Sequence, residues 1–334
     1  MSGVDVPYHL RPNKYVDRQI FIDLLHRLDR VRSLARSVYV SMGGKFLDDH
    51  KAVRFAFDLR GSVSIEKFER VVSRQNFNKP FEDVSCLCSE SKDFVSGFSA
   101  FRANYPEDTN FIVWLDFVNP KERLIQLEEF STLVGFGKPF DVFRITLNAN
   151  AETLKGSAAQ KPPQFKTIMD WRLSIFESQL NRFPVSATAV EMTTKAFPNA
   201  LARAVGVAAQ EGAKRRKFVV RPLSVSSYAD GNHTMLSVTT ILLPTEEADR
   251  FMAAPWISDW RHRAPDWSTV GRIDVPDLSM KEKMLIDRHI NMMDDVQIAA
   301  ALGFELGEDT DSTLTKLSQY RRHFRFYPQF VRMV

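Results

Sequence analysis

The chain is short of the features that announce many protein classes. It has only two cysteines in 334 residues, Cys86 and Cys88. Set two apart, they are poorly placed for a disulfide, and a lone C-x-C lacks the partners of a zinc site. Both are expected to be plain core or strand thiols, with no metal, and the cytoplasm is the expected compartment. No apolar run approaches the roughly 20 residues that span a bilayer. Met1 to Arg18 has neither an apolar signal core nor an Arg-rich, acid-poor transit pattern. Charge of one sign is scarce too: the net is +4, which permits acidic partners without demanding nucleic acid. The G-x-G-x-x-G phosphate signature is missing as well.

What is present is alternation. Apolar residues at Ile20, Phe21, Leu24, Leu25, Leu28, Val31 and Leu34 have helical spacing. Ser37 to Met42 reads as a strand broken by Gly43-Gly44, and Lys45 to Phe57 as a helix closed by Gly61. Ser62 to Ile65 is a second strand ending at Glu66, Phe68 to Phe77 a helix, and Val84 to Cys88 a third strand. Phe111-Ile112-Val113-Trp114-Leu115 within Asn110 to Phe117 is the run of a strand buried on both faces. Pro120 opens a helix through Val134, and Asp141 to Leu147 is a fifth strand. Strands separated by helices imply right-handed βαβ units and an open, doubly wound α/β sheet, with ligands beyond the carboxyl ends of the strands. Ser41, Gly43, Gly44, Glu66, Ser89 to Asp93 and Asp116 fall there. A glycine pair allows close backbone approach to a ligand. Glu66, 23 residues after Gly43, suits an acid accepting from ribose hydroxyls.

Tyr39-Val40-Ser41-Met42-Gly43-Gly44, Ser64-Ile65-Glu66-Lys67 and Trp114-Leu115-Asp116-Phe117 together resemble motifs of the Rossmann-fold S-adenosylmethionine-dependent methyltransferases. More narrowly, they are similar to a bacterial group labelled putative O-methyltransferases, over about residues 8 to 150 and more loosely beyond. The resemblance implies that Ser41, Gly43 and Gly44 line the methionine and ribose of the cofactor. It implies that Glu66 holds the ribose, that Ser89, Glu90 and Asp93 lie near the adenine, and that Asp116 and Phe117 face the transferred methyl. Asp116 is the expected catalytic base, with His50 a distant second that reads rather as a surface or packing residue. The acid that usually precedes the glycine loop is absent. Arg11 and Lys14, in the Tyr8 to Lys14 arm, are candidates for an acidic substrate or the cofactor carboxylate.

Beyond Lys155 to Gln164, a loop by its glycine, serine and prolines, Ile168 to Phe183 and Ala187 to Ala209 read as helices. Lys217 to Ser227 and Thr234 to Leu243 form a hairpin through Asp230-Gly231. The expected domains are an arm and helix (1–36), a methyltransferase-like sheet domain (37–150 plus 215–245), a helical insertion capping the substrate side (155–212) and a C-terminal helical module (250–334). The basic run Lys214 to Lys217 reads as a solvated loop, and the Trp256 to Trp267 segment as interface packing. Ser279 with Glu282 makes a capping box that starts the module, which could dock a protein partner. Three functions follow: O-methyl transfer to an unidentified small or macromolecular acceptor, a catalytically weak subunit of a multi-gene bacterial (anti-phage) system, or nucleic-acid methylation.

Overall fold

The computed structural model describes residues 11–155, 160–214 and 216–329; Tyr8, His9 and Arg215 of the segments named above lie outside them. In chain order the elements are α1 (Pro12–Val31), β1 (Ser37–Ser41), α2 (Asp48–Ala56), β2 (Gly61–Glu66), α3 (Glu69–Asn78), β3 (Val84–Cys88), α4 (Ser91–Ser96) and α5 (Phe98–Ala103). There follow β4 (Asn110–Asp116), α6 (Arg123–Gly135), β5 (Val142–Asn148), α7 (Ile168–Gln179), α8 (Phe197–Ala213), β6 (Phe218–Asp230) and β7 (His233–Pro244). Last come α9 (Ala248–Ala253), α10 (Pro255–Ser258), β8 (Gly271–Ile273), α11 (Met280–His289), α12 (Asp295–Leu302) and α13 (Thr310–His323).

The eight strands form one sheet in the order β3-β2-β1-β4-β5-β7-β6-β8. Neighbours among β1 to β5 pair in parallel, and β7 runs antiparallel to β5. This is the doubly wound α/β sheet with an antiparallel hairpin that the sequence led one to expect. The chain reverses between β1 and β4, so the carboxyl ends of those strands flank a switch point, the usual ligand crevice of such sheets.

Register explains why the strands are buried. Ser41 is level with both Ser64 and Trp114, so residues of like parity share a face. Val38, Val40, Val63, Ile65, Phe111, Val113, Leu115, Phe143, Ile145 and Leu147 all point into one hydrophobic core. The opposite face carries Tyr39, Ser41, Ser62, Ser64, Trp114, Arg144 and Thr146, also buried but able to hydrogen-bond. There Trp114 Nε1 donates to Thr146 Oγ1 at 2.9 Å, Arg144 donates to Thr239 Oγ1 at 2.8 Å, and the Arg144 guanidinium lies 4.6 Å from the Trp114 ring centre. The sheet therefore has one oily side and one buried polar side.

Two compact units are distinguishable. One comprises the segments up to Phe21, Tyr228–Asn232 and from Arg272 on; the other comprises Ile22–Ser227 and His233–Gly271. Within the second, the segment expected as a cap contributes to the sheet's core. The α8 alanines 200, 202, 204, 208 and 209 belong to the same core as the sheet, and α8 packs on α6 and β7. A Cβ on Gly212 would stand 2.1 Å from the Ser131 carbonyl oxygen, so the two helices touch backbone to backbone. Trp267 lies over Gly206, with ring atoms 2.7 Å from where a Cβ would be, and Trp260 donates to Asp23 Oδ2 at 2.7 Å. The tryptophans of that segment thus serve packing. Cys86 and Cys88 are free thiols, half-buried and exposed on edge strand β3, not core residues.

The first unit contains α11 to α13, started by the Ser279–Glu282 box and, at α12, stopped by left-handed Gly303. Tyr320 donates to Asp287 Oδ1 at 2.6 Å, and Arg321 is held by Asp295 at 2.8 Å and the Met293 carbonyl at 2.7 Å. No helix among the described residues is long and apolar enough to cross a membrane.

At the amino edge of the sheet, buried Asp141 accepts from the amides of Phe111 and Lys138, both at 2.8 Å, and from the Arg102 guanidinium. Burial nonetheless raises its pKa from the ordinary carboxylate value, the Arg102 charge opposing. Two changes probe this framework by chemical denaturation. Gly212→Ala is expected to cost about 1–3 kcal/mol through overpacking. Asp141→Ala, which strands the Arg102 charge, is expected to cost about 3–5 kcal/mol. An unchanged midpoint in either variant would refute the corresponding contact.

Candidate active site

The glycine loop leaves β1 at Ser41 and enters α2 at Asp48. Gly43 is packed so closely that a Cβ would meet His50, Leu47 and Ser64 at 2.6 to 2.8 Å. Gly44 has φ of +53° with no atom within 4 Å of a Cβ position, so one glycine is required by crowding and the other by conformation. Leu47 also lies in the left-handed region, at φ 54°, a conformation that costs a non-glycine residue about 1–2 kcal/mol. Such strain concentrates at functional loops. Side-chain amides of α3 fix the loop from outside: Gln75 donates to the Gly44 carbonyl at 2.9 Å and Asn78 to the Lys45 carbonyl at 2.8 Å.

Beneath the loop is a buried polar cluster. Asp49 Oδ2 accepts from Tyr39 Oη at 2.9 Å and from Ser41 Oγ. His50 Nε2 is 2.9 Å from Ser41 Oγ and its Nδ1 is 2.7 Å from Ser62 Oγ. Because Ser41 gives its proton to Asp49, the imidazole donates from Nε2; a neutral ring then accepts the Ser62 proton at Nδ1. Burial lowers the His50 pKa below 6.5, against the opposing pull of Asp49, which agrees with this tautomer. Ser64 Oγ accepts the Gly43 amide at 3.2 Å and so joins β2 to the loop.

His50 is therefore the packing residue of that expectation, fully buried and bonded on both ring nitrogens, and neither a surface residue nor a base in reach of an acceptor. Sequence reasoning overlooked Asp49, Ser62, Ser64, Gln75 and Asn78. The signal was there in the alternation Ser37, Tyr39, Ser41 and Ser62, Ser64, Glu66, which spells a polar strand face, and in the acids just past the glycines. Asp49, just after the loop, is a buried carboxylate.

The other expected residues sort by strand end. Glu66 is two residues past Ser64 and Asp116 two past Trp114, the residues level with Ser41 at the end of β1, so both keep the parity of the polar face. Their backbones lie about 10 Å apart, two strand spacings, with the glycine loop between. Both are half-buried, and Glu66 Oε1 accepts the Phe68 amide at 3.0 Å. Ser89 follows β3, its amide bonded to the Glu66 carbonyl at 3.0 Å, while Glu90 and Asp93 are exposed at the start of α4. Phe117 has the opposite parity and packs into the hydrophobic core, so it is not brought beside Asp116. Arg11 and Lys14 are engaged by Asp230: Arg11 Nε is 2.5 Å from Oδ1 and Lys14 Nζ 3.8 Å from Oδ2. That carboxylate stands where a substrate or cofactor carboxylate was expected.

The turn after β4 is anchored by Arg123. Its fully buried guanidinium donates to the Asn148 carbonyl at 2.8 Å, Thr153 Oγ1 at 2.6 Å and Gln179 Oε1 at 3.2 Å, and burial lowers its pKa. Gln179, on α7, in turn donates to the Pro120 carbonyl at 2.9 Å. The segment 155–212 thus reaches the end of β4 as well as the core.

The neutral histidine fixes a sign for pH. With a native pKa below the unfolded 6.5, the unfolded chain takes up the proton first, so stability is full above about pH 6.5 and declines as pH falls below it, levelling off under the native value. His50→Gln is expected to flatten that part of the profile; an identical slope in the variant would count against the assignment. Gly44→Ala is expected to lose about 1–2 kcal/mol by denaturant titration.

The family model described as "Putative O-methyltransferase" matches residues 6–334. Similar solved structures include the O-methyltransferase TomG of Streptomyces achromogenes, from tomaymycin synthesis and in complex with S-adenosylmethionine, at 14% identity over 67% of this chain and 80% of that one, TM-score 0.35. The N-methyltransferase NodS of Bradyrhizobium japonicum is 8% identical over 68% and 97%, TM-score 0.34. The fibrillarin pre-rRNA processing protein of Methanococcus jannaschii is 11% identical over 63% and 67%, TM-score 0.35. No curated protein sequence matches. Matched over nearly its whole length, the chain belongs to the family of putative O-methyltransferases.

Proposed function

We propose that the crevice at the carboxyl ends of β1, β2 and β4 binds S-adenosylmethionine and directs its methyl group to an oxygen of the acceptor. The observation that carries this reading is the level placement of Glu66 and Asp116 on either side of the glycine loop. Membership of the O-methyltransferase family supports the choice of atom.

The residues suit an adenosyl group. Gly44 presents open space where a side chain would block approach. Glu66 spends one lone pair on the Phe68 amide and keeps capacity for two ribose hydroxyls, since a carboxylate offers about four acceptor sites. Ser41 holds the loop's entry through Asp49, and Ser89, Glu90 and Asp93 border the β3 end, toward the adenine. Bound there, the cofactor supplies an electrophilic sulfonium methyl, so the protein's work is orientation. Asp116, at the far side of the loop, is placed to take the acceptor's hydroxyl proton as the oxygen is methylated, a general-base role. Phe117, turned into the core, supports the β4 end from behind.

Calorimetric titration with S-adenosylhomocysteine tests the binding half. Glu66→Ala is expected to weaken affinity by about 1–3 kcal/mol, the worth of hydrogen bonds to a charged acceptor, and Gly43→Val to abolish it. No heat from the folded wild-type protein would refute the cofactor assignment. For chemistry, labelled-methyl transfer in Asp116→Ala is expected to fall about 10²–10⁴-fold with binding retained; equal turnover would remove Asp116 from the mechanism.

A further inference from the structure

The surface beside this crevice carries rings that the core does not use. Phe68 is 48% exposed, Phe77 89%, Phe55 74% and Phe81 37%, all within one stretch of chain. Exposed rings concentrated in one segment are candidates for an interaction site. Cations accompany the rings. Lys67 Nζ lies 4.8 Å and the Arg70 guanidinium 5.7 Å from the Phe68 centre; Arg74 lies 4.9 Å and Lys45 5.1 Å from Phe46. Arg54 lies 5.5 Å from Phe81, which packs 5.3 Å from Phe55. On α3, Arg70, Arg74 and Phe77 fall at helical spacing on one face, and Phe68 caps its start. Neither Arg70 nor Arg74 forms a salt bridge with a described residue. The acids in this stretch are Asp58, Glu66, Glu69 and Glu82, the last paired to Lys79 at 2.5 Å, with Asp83 already paired to Arg54 at 2.6 Å.

We propose that the exposed face of α3, with Phe46, Phe68 and Phe77 and the cations Lys67, Arg70 and Arg74, is a docking surface for single-stranded nucleic acid. Base stacking uses aromatic faces, is tolerant of sequence, and needs basic groups along the backbone track. Here Phe46 and Phe68 already have cations within stacking range, and a phosphate placed along α3 toward Phe77 meets Arg70 or Arg74. Protein interfaces share the enrichment in rings and arginine but are depleted in lysine, whereas here Lys67 and Lys45 lie against Phe68 and Phe46. The stripe begins two residues past Glu66. It therefore runs from the edge of the crevice outward, although docking does not depend on methyl transfer.

Fluorescence anisotropy with a labelled 15-nucleotide oligouridine, titrated at several salt concentrations, tests this. Wild-type protein is expected to bind with affinity that falls linearly in log salt. Phe68→Ala/Phe77→Ala is expected to lose at least tenfold, and Arg70→Glu/Arg74→Glu to bind more weakly with a salt slope shallower by roughly 1.4, at 0.7 per phosphate contact. Melting temperature and S-adenosylhomocysteine affinity should stay at wild-type values in both, since all four side chains are exposed. The proposal is overturned if the wild type shows no binding up to about 10⁻⁴ M, the weak limit of non-specific affinity. It is equally overturned if the variants bind as well as wild type, or if sedimentation shows that the rings instead hold two copies of the chain together.

Discussion

Strand parity is the constraint on which the rest depends. Because successive side chains in a strand point to opposite faces, the level register of β2, β1 and β4 decides at once which residues build the core and which build the crevice. Valines and phenylalanines at one parity make the oily side. Serines, Tyr39 and Trp114 at the other make a buried side rich in hydrogen-bonding groups. The polar side ends, strand by strand, in Glu66, the glycine loop and Asp116. A slip of one residue in β2 would bury Glu66 in the core and put Ile65 at the crevice.

Polar burial on that side is expensive unless every group is paired, and the cluster under the loop shows how the cost is met. Asp49 collects two hydroxyl protons, His50 stays neutral between two serines, and Ser64 takes the Gly43 amide. The bonds run from β1 to α2 to β2, so the strained loop is held by three elements rather than by its own preferences. Preorganisation of this kind is what a site that works by orientation requires.

Much of the architecture was legible in the sequence because it rests on local patterns. The apolar run of β4, the Asp-Gly hairpin, the Ser279 box and the Gly303 stop are short-range signals, and each names its element. Where the pattern was ambiguous the boundaries moved. A helix expected from Ala187 begins only at Phe197, since Pro198 suits a first turn and not an interior. The paired helices α4 and α5 went unseen because Gly97 interrupts a phenylalanine pattern that makes sense only once Phe94 and Phe98 face the core. The site was half legible. Glycines and carboxylates at strand ends could be placed by counting, but the orientation of His50 and Phe117 could not, because it depends on register between strands far apart in sequence. Exposure of the α3 phenylalanines was hidden for the same reason: their residue type argues for burial, and only the fold leaves them outside.

The ion pair between Arg11 and Asp230 has a bearing on biosynthesis. Its partners are 219 positions apart, and the unit that contains them also needs α11 to α13. On a ribosome, the first turns of α1 must therefore wait through most of translation before this unit can close. Contacts so distant along the chain slow folding.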